Sequence, residues 1–181
     1  MKSTLTSIRM LLALTLLTGL AYPLAVSGLA KGLFPAQAEG SLIPGLGSRL
    51  IAQKFVSEKY FWPRPSAADD NASSSGGSNF GPTSAALKKA VDERRAALNK
   101  AHPGQGEIPE DLLFASGSGL DPHISPAAAR YQMARVAKAR KLDPAKVAAL
   151  VEGRVEAPQF GVFGEARVNV LELNLALDAM K

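Results

Sequence analysis

The segment Met10–Ala30, MLLALTLLTGLAYPLAVSGLA, contains no charged residue and consists mainly of Leu, Ala, Val and Thr. As a helix it would be about 31 Å long, close to the thickness of a bilayer's hydrocarbon core. Tyr22 and Pro23 lie near its centre, and lipid tolerates a proline when neighbouring groups satisfy the backbone. We therefore predict a transmembrane helix over residues 10–30, with a kink at Tyr22–Pro23 that packs on a partner helix.

A cleaved signal peptide is the alternative interpretation of this segment. A signal has an apolar region of about 7–15 residues followed by a small-residue cleavage site, and Ala36-Gln37-Ala38 matches such a site. The apolar stretch is longer than a signal requires, which favours a retained anchor. Lys2 and Arg9 precede it without an acidic residue. By the positive-inside rule, residues 1–9 lie in the cytoplasm and the part after the helix lies outside it.

Composition excludes several classes of function. The chain has no cysteine, which excludes disulfides, thiolate zinc sites and cysteine nucleophiles. Only His102 and His123 are present, too few for a three-histidine metal site within one chain. The formal net charge of +5 owes much to three basic residues at or before Lys31, and the remainder is nearly balanced. We therefore expect no nucleic-acid binding.

Beyond the apolar segment, the composition predicts a linker and a single further domain. Residues 31–47 form the linker, and residues 48–181 form a mainly helical α+β domain outside the cytoplasm. At the start of this domain we predict a short helix capped by Ser48. The aromatic cluster at residues 60–62 indicates a buried strand or an anchored loop, and residues 66–79 have the composition of a loop.

Capping residues and apolar spacing predict three helices in this domain. They span residues 84–100, residues 125–142 and a segment that begins at Asp143–Pro144. A short apolar run at 108–115 predicts a strand. The tail, residues 168–180, fits both a strand alternation and a leucine-rich helix capped by Asn169, of which the helix is favoured.

No complete catalytic constellation is evident in the sequence. Ser118 lies among glycines but outside a G-x-S-x-G motif, and neither histidine has the setting of a general base. Asp121 and His123 could hold a cation or polarise a water, although a turn followed by a helix cap explains the same residues. The residues thus indicate an accessory or interaction subunit, with a membrane-tethered hydrolase outside the cytoplasm as the alternative.

Eight motifs, taken in their order and spacing, resemble those of one family. They are TGLAYPL at 18–24, FPAQAEGSLI at 34–43, GSRLIAQ at 47–53, YFWPRPSA at 60–67, GGSN at 76–79, ASGSGLDPHISP at 115–126, RVAKAR at 135–140 and VNVLELNLALD at 168–178. The chain resembles the C subunit of the Kdp-type potassium-transporting ATPase, a P-type pump, over nearly its whole length.

The resemblance implies a non-catalytic accessory subunit that stabilises assembly and supports potassium transport coupled to ATP hydrolysis. The implied partners are a channel-like potassium-binding subunit, an ATP-hydrolysing subunit, a small fourth subunit and membrane lipid. The family is also described as a catalytic chaperone that raises the ATP affinity of the hydrolysing subunit. ATP and potassium would act at the level of the complex, and no cofactor bound directly by this chain is predicted. The implied location is the cytoplasmic (inner) membrane, spanned once.

Six residues are predicted to contact partners or to shape the contacting domain. Tyr22 and Pro23 are expected to dock the transmembrane helix. The other four belong to the outer domain: Trp62, Arg64, Asp121 and His123. No catalytic or metal-ligating residue is predicted.

Overall fold

The computed structural model describes residues 2–180, which divide into two compact units after Ser48. Helices account for about half of the chain. The strands are short and few among the described residues. The mainly helical α+β architecture predicted from the sequence is therefore present.

The first unit is built on one long helix, Lys2–Leu33. It comprises α1 (Lys2–Leu16), a π-helical turn (Leu17–Ala21) and α2 (Tyr22–Leu33). Pro23 explains the wide turn, because its ring would clash with the carbonyl of Gly19 in a regular α-helix and it has no N–H to donate. The Tyr22 N–H accordingly donates to the carbonyl of Leu17, five residues earlier.

A short helix and a small hairpin complete the first unit. They are α3 (Pro35–Ala38) and the antiparallel strands β1 (Leu42–Ile43) and β2 (Gly47–Ser48). Ser48 pairs with Leu42 in this hairpin, and its hydroxyl donates to the carbonyl of Gly40 at 2.7 Å. The predicted helix capped by Ser48 is wrong, since residues 49–55 form turns and irregular backbone. The serine ends a hairpin instead.

The second unit holds the remaining elements. They are α4 (Ala85–Ala101), α5 (Glu110–Leu113), β3 (His123–Ile124), α6 (Pro126–Arg140), α7 (Pro144–Glu152), β4 (Val155–Glu156), β5 (Arg167–Asn169) and α8 (Val170–Asp178). The three helices predicted between residues 84 and 152 are confirmed. The strand predicted at 108–115 is wrong. That run contains α5, and its apolar residues Ile108, Leu112 and Leu113 are buried at spacings that suit a helical turn.

Side-chain caps explain where three of these helices begin. The Ser125 hydroxyl accepts from the Ala128 N–H at 3.0 Å at the start of α6. A carboxylate oxygen of Asp143 accepts from the Ala145 N–H at the start of α7. Asn169 does the same for α8, accepting from the Glu172 N–H at 3.1 Å. The helix favoured for residues 168–180 is thus confirmed, although residues 168 and 169 of that range belong to β5 and the helix begins at Val170.

One antiparallel sheet and three helices enclose the core of the second unit. The strand order is β3-β5-β4, with His123 opposite Asn169 and Val155 opposite Val168. The helices α6, α7 and α8 pack together beside β5. Fully buried side chains from these elements and from the aromatic loop form the core: Phe61, Ile124, Val136, Val147, Val151, Val168, Leu173 and Leu177.

Two glycine-containing loops lie directly against one another in this unit. The Gly76 N–H donates to the carbonyl of Ser118 at 2.8 Å. A Cβ at Gly77 would lie 2.8 Å from the carbonyl oxygen of Gly117. At Gly119, whose φ is +68°, a Cβ would lie 2.6 Å from the carbonyl oxygen of Gly76. Gly77 of the GGSN motif and Gly119 of the SGSG motif therefore require glycine, because the two backbones approach too closely there for a side chain.

Candidate partner-contact surfaces

The aromatic loop at residues 60–62 is an anchored loop that is held by side-chain amides. Asn174 bonds both backbone groups of Phe61, accepting from its N–H at 2.9 Å and donating to its carbonyl at 3.0 Å. Gln132 does the same for Trp62, at 2.7 and 3.1 Å. Both amides are buried. They supply the partners that a neighbouring strand would otherwise provide, so this loop is fixed without a sheet.

Arg135 joins the aromatic loop to α4 and α6. Its guanidinium lies 3.9 Å from the centroid of the Trp62 ring. It donates to the carbonyls of Glu58 and Tyr60, at 2.5 and 3.0 Å, and to Nε2 of His102 at 2.9 Å. Burial lowers the pKa of Arg135 to about 10, so the group is still a cation at neutral pH. The carbonyl dipoles and the ring face stabilise this buried charge.

His102 is held in one protonation state by the same network. Its Nε2 accepts from Arg135, and its Nδ1 lies 3.0 Å from the carbonyl of Leu98 as the donor of the remaining hydrogen bond. Burial lowers the pKa of His102, and the adjacent Arg135 cation lowers it further, against the opposing effect of the Leu98 bond. The ring is therefore neutral at pH 7 and is not free to act as a base.

Trp62, which was predicted to serve architecture or contact, is placed mainly by this network. It is partly buried, and its indole N–H donates to the carbonyl of Ser57 at 3.0 Å. Its ring also packs edge-on against His102, with centroids 5.5 Å apart. Most of its ring surface is engaged within the domain, and its contact with a partner stays a prediction.

Arg64, Asp121 and His123 come together as one cluster. Arg64 Nη1 lies 3.0 Å from Asp121 Oδ2, and His123 Nδ1 lies 3.4 Å from Asp121 Oδ1. Burial alone would raise the pKa of Asp121, but the hydrogen bonds from His123 and Arg64 outweigh it, and the pKa is lowered. The carboxylate is therefore ionised throughout the physiological range. It also accepts from the His123 N–H, the Asx turn expected from the sequence.

The cluster lines a shallow cavity of about 230 Å³ that continues into a second cavity of about 580 Å³. Arg64, Asp111, Ser125 and Glu165 line both cavities. Asp111 is fixed there, since it accepts from the N–H and hydroxyl of Ser125. We call this continuous depression the charged cleft. Of the predicted site residues it contains Arg64, Asp121 and His123, whereas Trp62 faces the Arg135 network.

Tyr22 and Pro23 belong to the other unit and lie on its long helix. No residue described in that helix is buried within the chain. By length and composition the helix is apolar enough to cross a membrane. The π-helical turn directly before Tyr22 is the irregularity that the proline demands. Both residues are therefore open to contact from outside the chain.

The sequence of this chain matches one family throughout both units. The family model described as the K+-transporting ATPase, c chain, matches residues 4–179. The potassium-transporting ATPase KdpC subunit of Polaromonas naphthalenivorans is 58% identical over 176 residues, which are 93% of this chain and 90% of that protein. The KdpC subunit of Methylibium petroleiphilum is 54% identical over 183 residues, covering 97% and 96%.

The chain belongs to the KdpC family. The KdpC subunit of Rhodospirillum rubrum adds a further match at 58% identity over 173 residues, 92% of this chain and 90% of that protein. The family resemblance drawn from the eight motifs is confirmed. These KdpC matches extend across the apolar helix as well as the second unit, so neither unit is peculiar to this chain.

The hydrolase alternative is not favoured for this KdpC chain. The Ser118 hydroxyl accepts from the Leu120 N–H, while His102 is bonded to Arg135 and His123 to Asp121. Within residues 2–180, neither Ser116 nor Ser118 hydrogen-bonds a histidine. The same residues contain no group of three or more histidine and acidic side chains suited to a metal ion. The serines and histidines instead complete turns and the buried network.

Sequence reasoning missed the buried amides and Arg135. Asn174 lies three residues after Leu171 and three before Leu177, on the apolar face of α8. Gln132 on α6 lies next to the buried Tyr131 and four residues before the buried Val136. A polar residue within an apolar helical stripe is the available signal, because a buried polar group must have a partner. The sequence does not identify that partner. For Asn174 the partner is the backbone of Phe61, 113 residues away in the chain.

Proposed function

We propose that this chain is a non-catalytic accessory subunit of an ATP-driven, high-affinity potassium uptake pump, in which it stabilises assembly. The carrying observation is 54–58% identity to KdpC subunits over at least nine-tenths of the chain. Those relatives are named subunits of a potassium-transporting ATPase. The partners of this chain would then be the channel-like potassium-binding subunit, the ATP-hydrolysing subunit and the small fourth subunit.

The long helix serves as a single-pass anchor in the cytoplasmic membrane, with residues 10–30 in the bilayer. Lys2 and Arg9 hold the N-terminus in the cytoplasm, and residues 48–181 lie outside. Tyr22 and Pro23 dock this helix on a partner helix. The π-helical turn beside them supports this role, because irregular helical turns recur at functional positions in helices.

The outer domain acts by contact, because its buried polar network is bonded within the domain and offers no group for catalysis. The buried amides, Arg135 and His102 all bond within the domain. Arg64, Asp121 and His123 face the charged cleft and are the residues proposed to meet a partner there. Since ATP is cytoplasmic, this chain would raise the ATP affinity of the hydrolysing subunit through assembly, without touching the nucleotide.

Affinity purification of the full chain in mild detergent tests the assignment to the pump. A tag on this chain should retain the other pump subunits when all are co-expressed. Recovery of this chain alone would contradict the proposal. A chain with Arg64→Ala and Asp121→Ala should retain them less well, and Lys88→Ala with Asp92→Ala, an exposed ion pair on α4, is the matched control.

Orientation is tested separately by cysteine labelling, for which the chain offers a clean background because it has no cysteine. Ser74→Cys, in an exposed loop of the outer domain, should react with a membrane-impermeant maleimide in intact cells. Ser3→Cys, before the apolar segment, should react only after permeabilisation. The reverse pattern would contradict the proposed topology. It would place the second unit in the cytoplasm, where it could contact ATP directly.

A further inference from the structure

An apolar hairpin tip projects from the second unit between β4 and β5. Phe160, Val162 and Phe163 are 84%, 78% and 67% exposed, respectively. Gly161, between Phe160 and Val162, and Gly164, after Phe163, both have positive φ, so the chain turns sharply and leaves the three apolar side chains without cover from the domain. We call residues 160–163 the hairpin tip. So much apolar surface in four consecutive residues is unusual for a surface that remains in water.

The hairpin tip has a defined shape. The Gln159 N–H donates to the carbonyl of Phe163 and the Phe163 N–H donates back to the carbonyl of Gln159, both at 2.9 Å. Phe160 has a φ of +55°, in the left-handed region that a bulky side chain rarely adopts. A glycine or asparagine would suit that backbone better. A phenylalanine in a strained and exposed position points to a contact made by its side chain.

The charged cleft beside the hairpin tip carries a net negative charge. Residues 157–164 carry no charge, and Glu165 follows them directly. Glu165 and Glu110 both line the charged cleft, are exposed, and form no ion pair within the described chain. The two cavities of the cleft contain four carboxylates and two guanidiniums, those of Glu110, Asp111, Asp121, Glu165, Arg64 and Arg167. The hairpin tip is thus an exposed apolar projection beside a surface that carries a net negative charge.

Resting on the proposed function, we propose that the hairpin tip inserts into an apolar socket on the outer face of another pump subunit, bordered by lysine or arginine that faces Glu165 and Glu110. Apolar burial supplies the affinity, and the flanking charges fix the orientation. The chain enters this unit at Arg49, which pairs with Glu156 at the base of the hairpin. The base of the hairpin therefore lies beside the first residue of this unit.

The charges favour a protein socket over a bilayer. Lipid head groups are zwitterionic or anionic and offer no net attraction to the two unpaired carboxylates, whereas a basic rim does. A second copy of this chain is a poor partner as well. Three side chains cover far less than the roughly 800 Å² per partner that a stable dimer buries. A small anchor suffices only when a membrane helix already holds the two proteins together.

Co-purification of the full-length chain with the other pump subunits tests the proposal. The triple variant Phe160→Ser, Val162→Ser, Phe163→Ser should retain at least tenfold less of the pump than the wild-type chain in mild detergent. Phe80→Ser, at a phenylalanine that is 46% exposed elsewhere on the domain, should retain it fully. Thermal unfolding of the variants should match the wild type, because the replaced side chains contribute no core contacts.

Charge reversal and cross-linking identify the molecule that the hairpin tip contacts. Glu165→Lys should weaken retention several-fold, whereas Glu93→Lys on the exposed face of α4 should not. A photoreactive residue at position 160 should form adducts with another pump subunit. Adducts only with lipid or with a second copy would overturn the proposal, as would full retention of the triple variant. If even the wild-type chain retains no pump subunit, the proposed function itself fails.

Discussion

At the scale of single residues, this domain depends on polar side chains that replace secondary structure. Asn174 and Gln132 bond the backbone of the aromatic loop from two different helices. Arg135 then ties the same loop to His102. Each of these bonds joins segments that are far apart in the chain, so the loss of one side chain uncovers buried backbone groups at a distant site.

Replacement of Asn174 by alanine should be strongly destabilising. The N–H and carbonyl of Phe61 would lose their partners in the core, at a cost of about 3 kcal/mol in the free energy of unfolding. Urea denaturation followed by the fluorescence of Trp62, the single tryptophan, measures this directly. Asn99→Ala, at an exposed position of α4, should change stability by less than about 0.5 kcal/mol. Equal effects of the two substitutions would contradict the role given to Asn174.

Acidification should destabilise the domain through His102. Because folding lowers the pKa of this histidine below its ordinary value of 6.5, the unfolded chain takes up a proton more readily than the folded one. Its stabilising contribution is complete above about pH 6.5 and falls as the pH drops below that value. The Tm of the wild-type chain should therefore decrease from pH 7.5 to pH 5.5. His102→Gln, which keeps an acceptor for Arg135, should show a smaller decrease, and an equal decrease would refute the assignment.

At the scale of elements, sequence patterns predicted the helices that carry their own caps. Ser125, Asp143 and Asn169 are capping residues in the sequence and caps in the structure. Where the decisive contact is nonlocal, the prediction was wrong. Ser48 has the chemistry of a cap but pairs with Leu42, and the run at 108–115 buries its leucines as a helical turn.

The charged cleft could be predicted in part, because Asp121 and His123 share a motif, whereas Arg64 is 57 residues away from Asp121.

The contact between the two glycine loops gives a prediction at this scale. Gly77→Ala should destabilise the domain by about 1–3 kcal/mol, because its Cβ would lie 2.8 Å from the backbone oxygen of Gly117. Gly76→Ala, one residue earlier, should be tolerated, since a Cβ there meets nothing within 4 Å. Chemical denaturation of both variants measures the two changes in the free energy of unfolding. A destabilised Gly76→Ala with an unaffected Gly77→Ala would show that the loops do not pack in this way.

At the scale of the whole molecule, the chain combines an uncovered apolar helix with a domain whose buried polar network is bonded within the domain. The helix has no buried residue among those described, and the hairpin tip leaves further apolar surface uncovered. Both surfaces are open to contact from outside the chain, which accords with a subunit of a larger membrane complex. The sequence revealed the helix because 21 uncharged residues are a local signal. It did not reveal the hairpin tip, because exposure depends on the fold around it.

The potassium-stimulated ATPase activity of the other pump subunits, purified with and without this chain, tests the central claim most directly. If this chain is a stabilising accessory subunit, its omission should abolish assembly or reduce the activity severely, and co-expression of the full chain should restore both. A pump that assembles, hydrolyses ATP and binds potassium equally well without the chain would contradict the account.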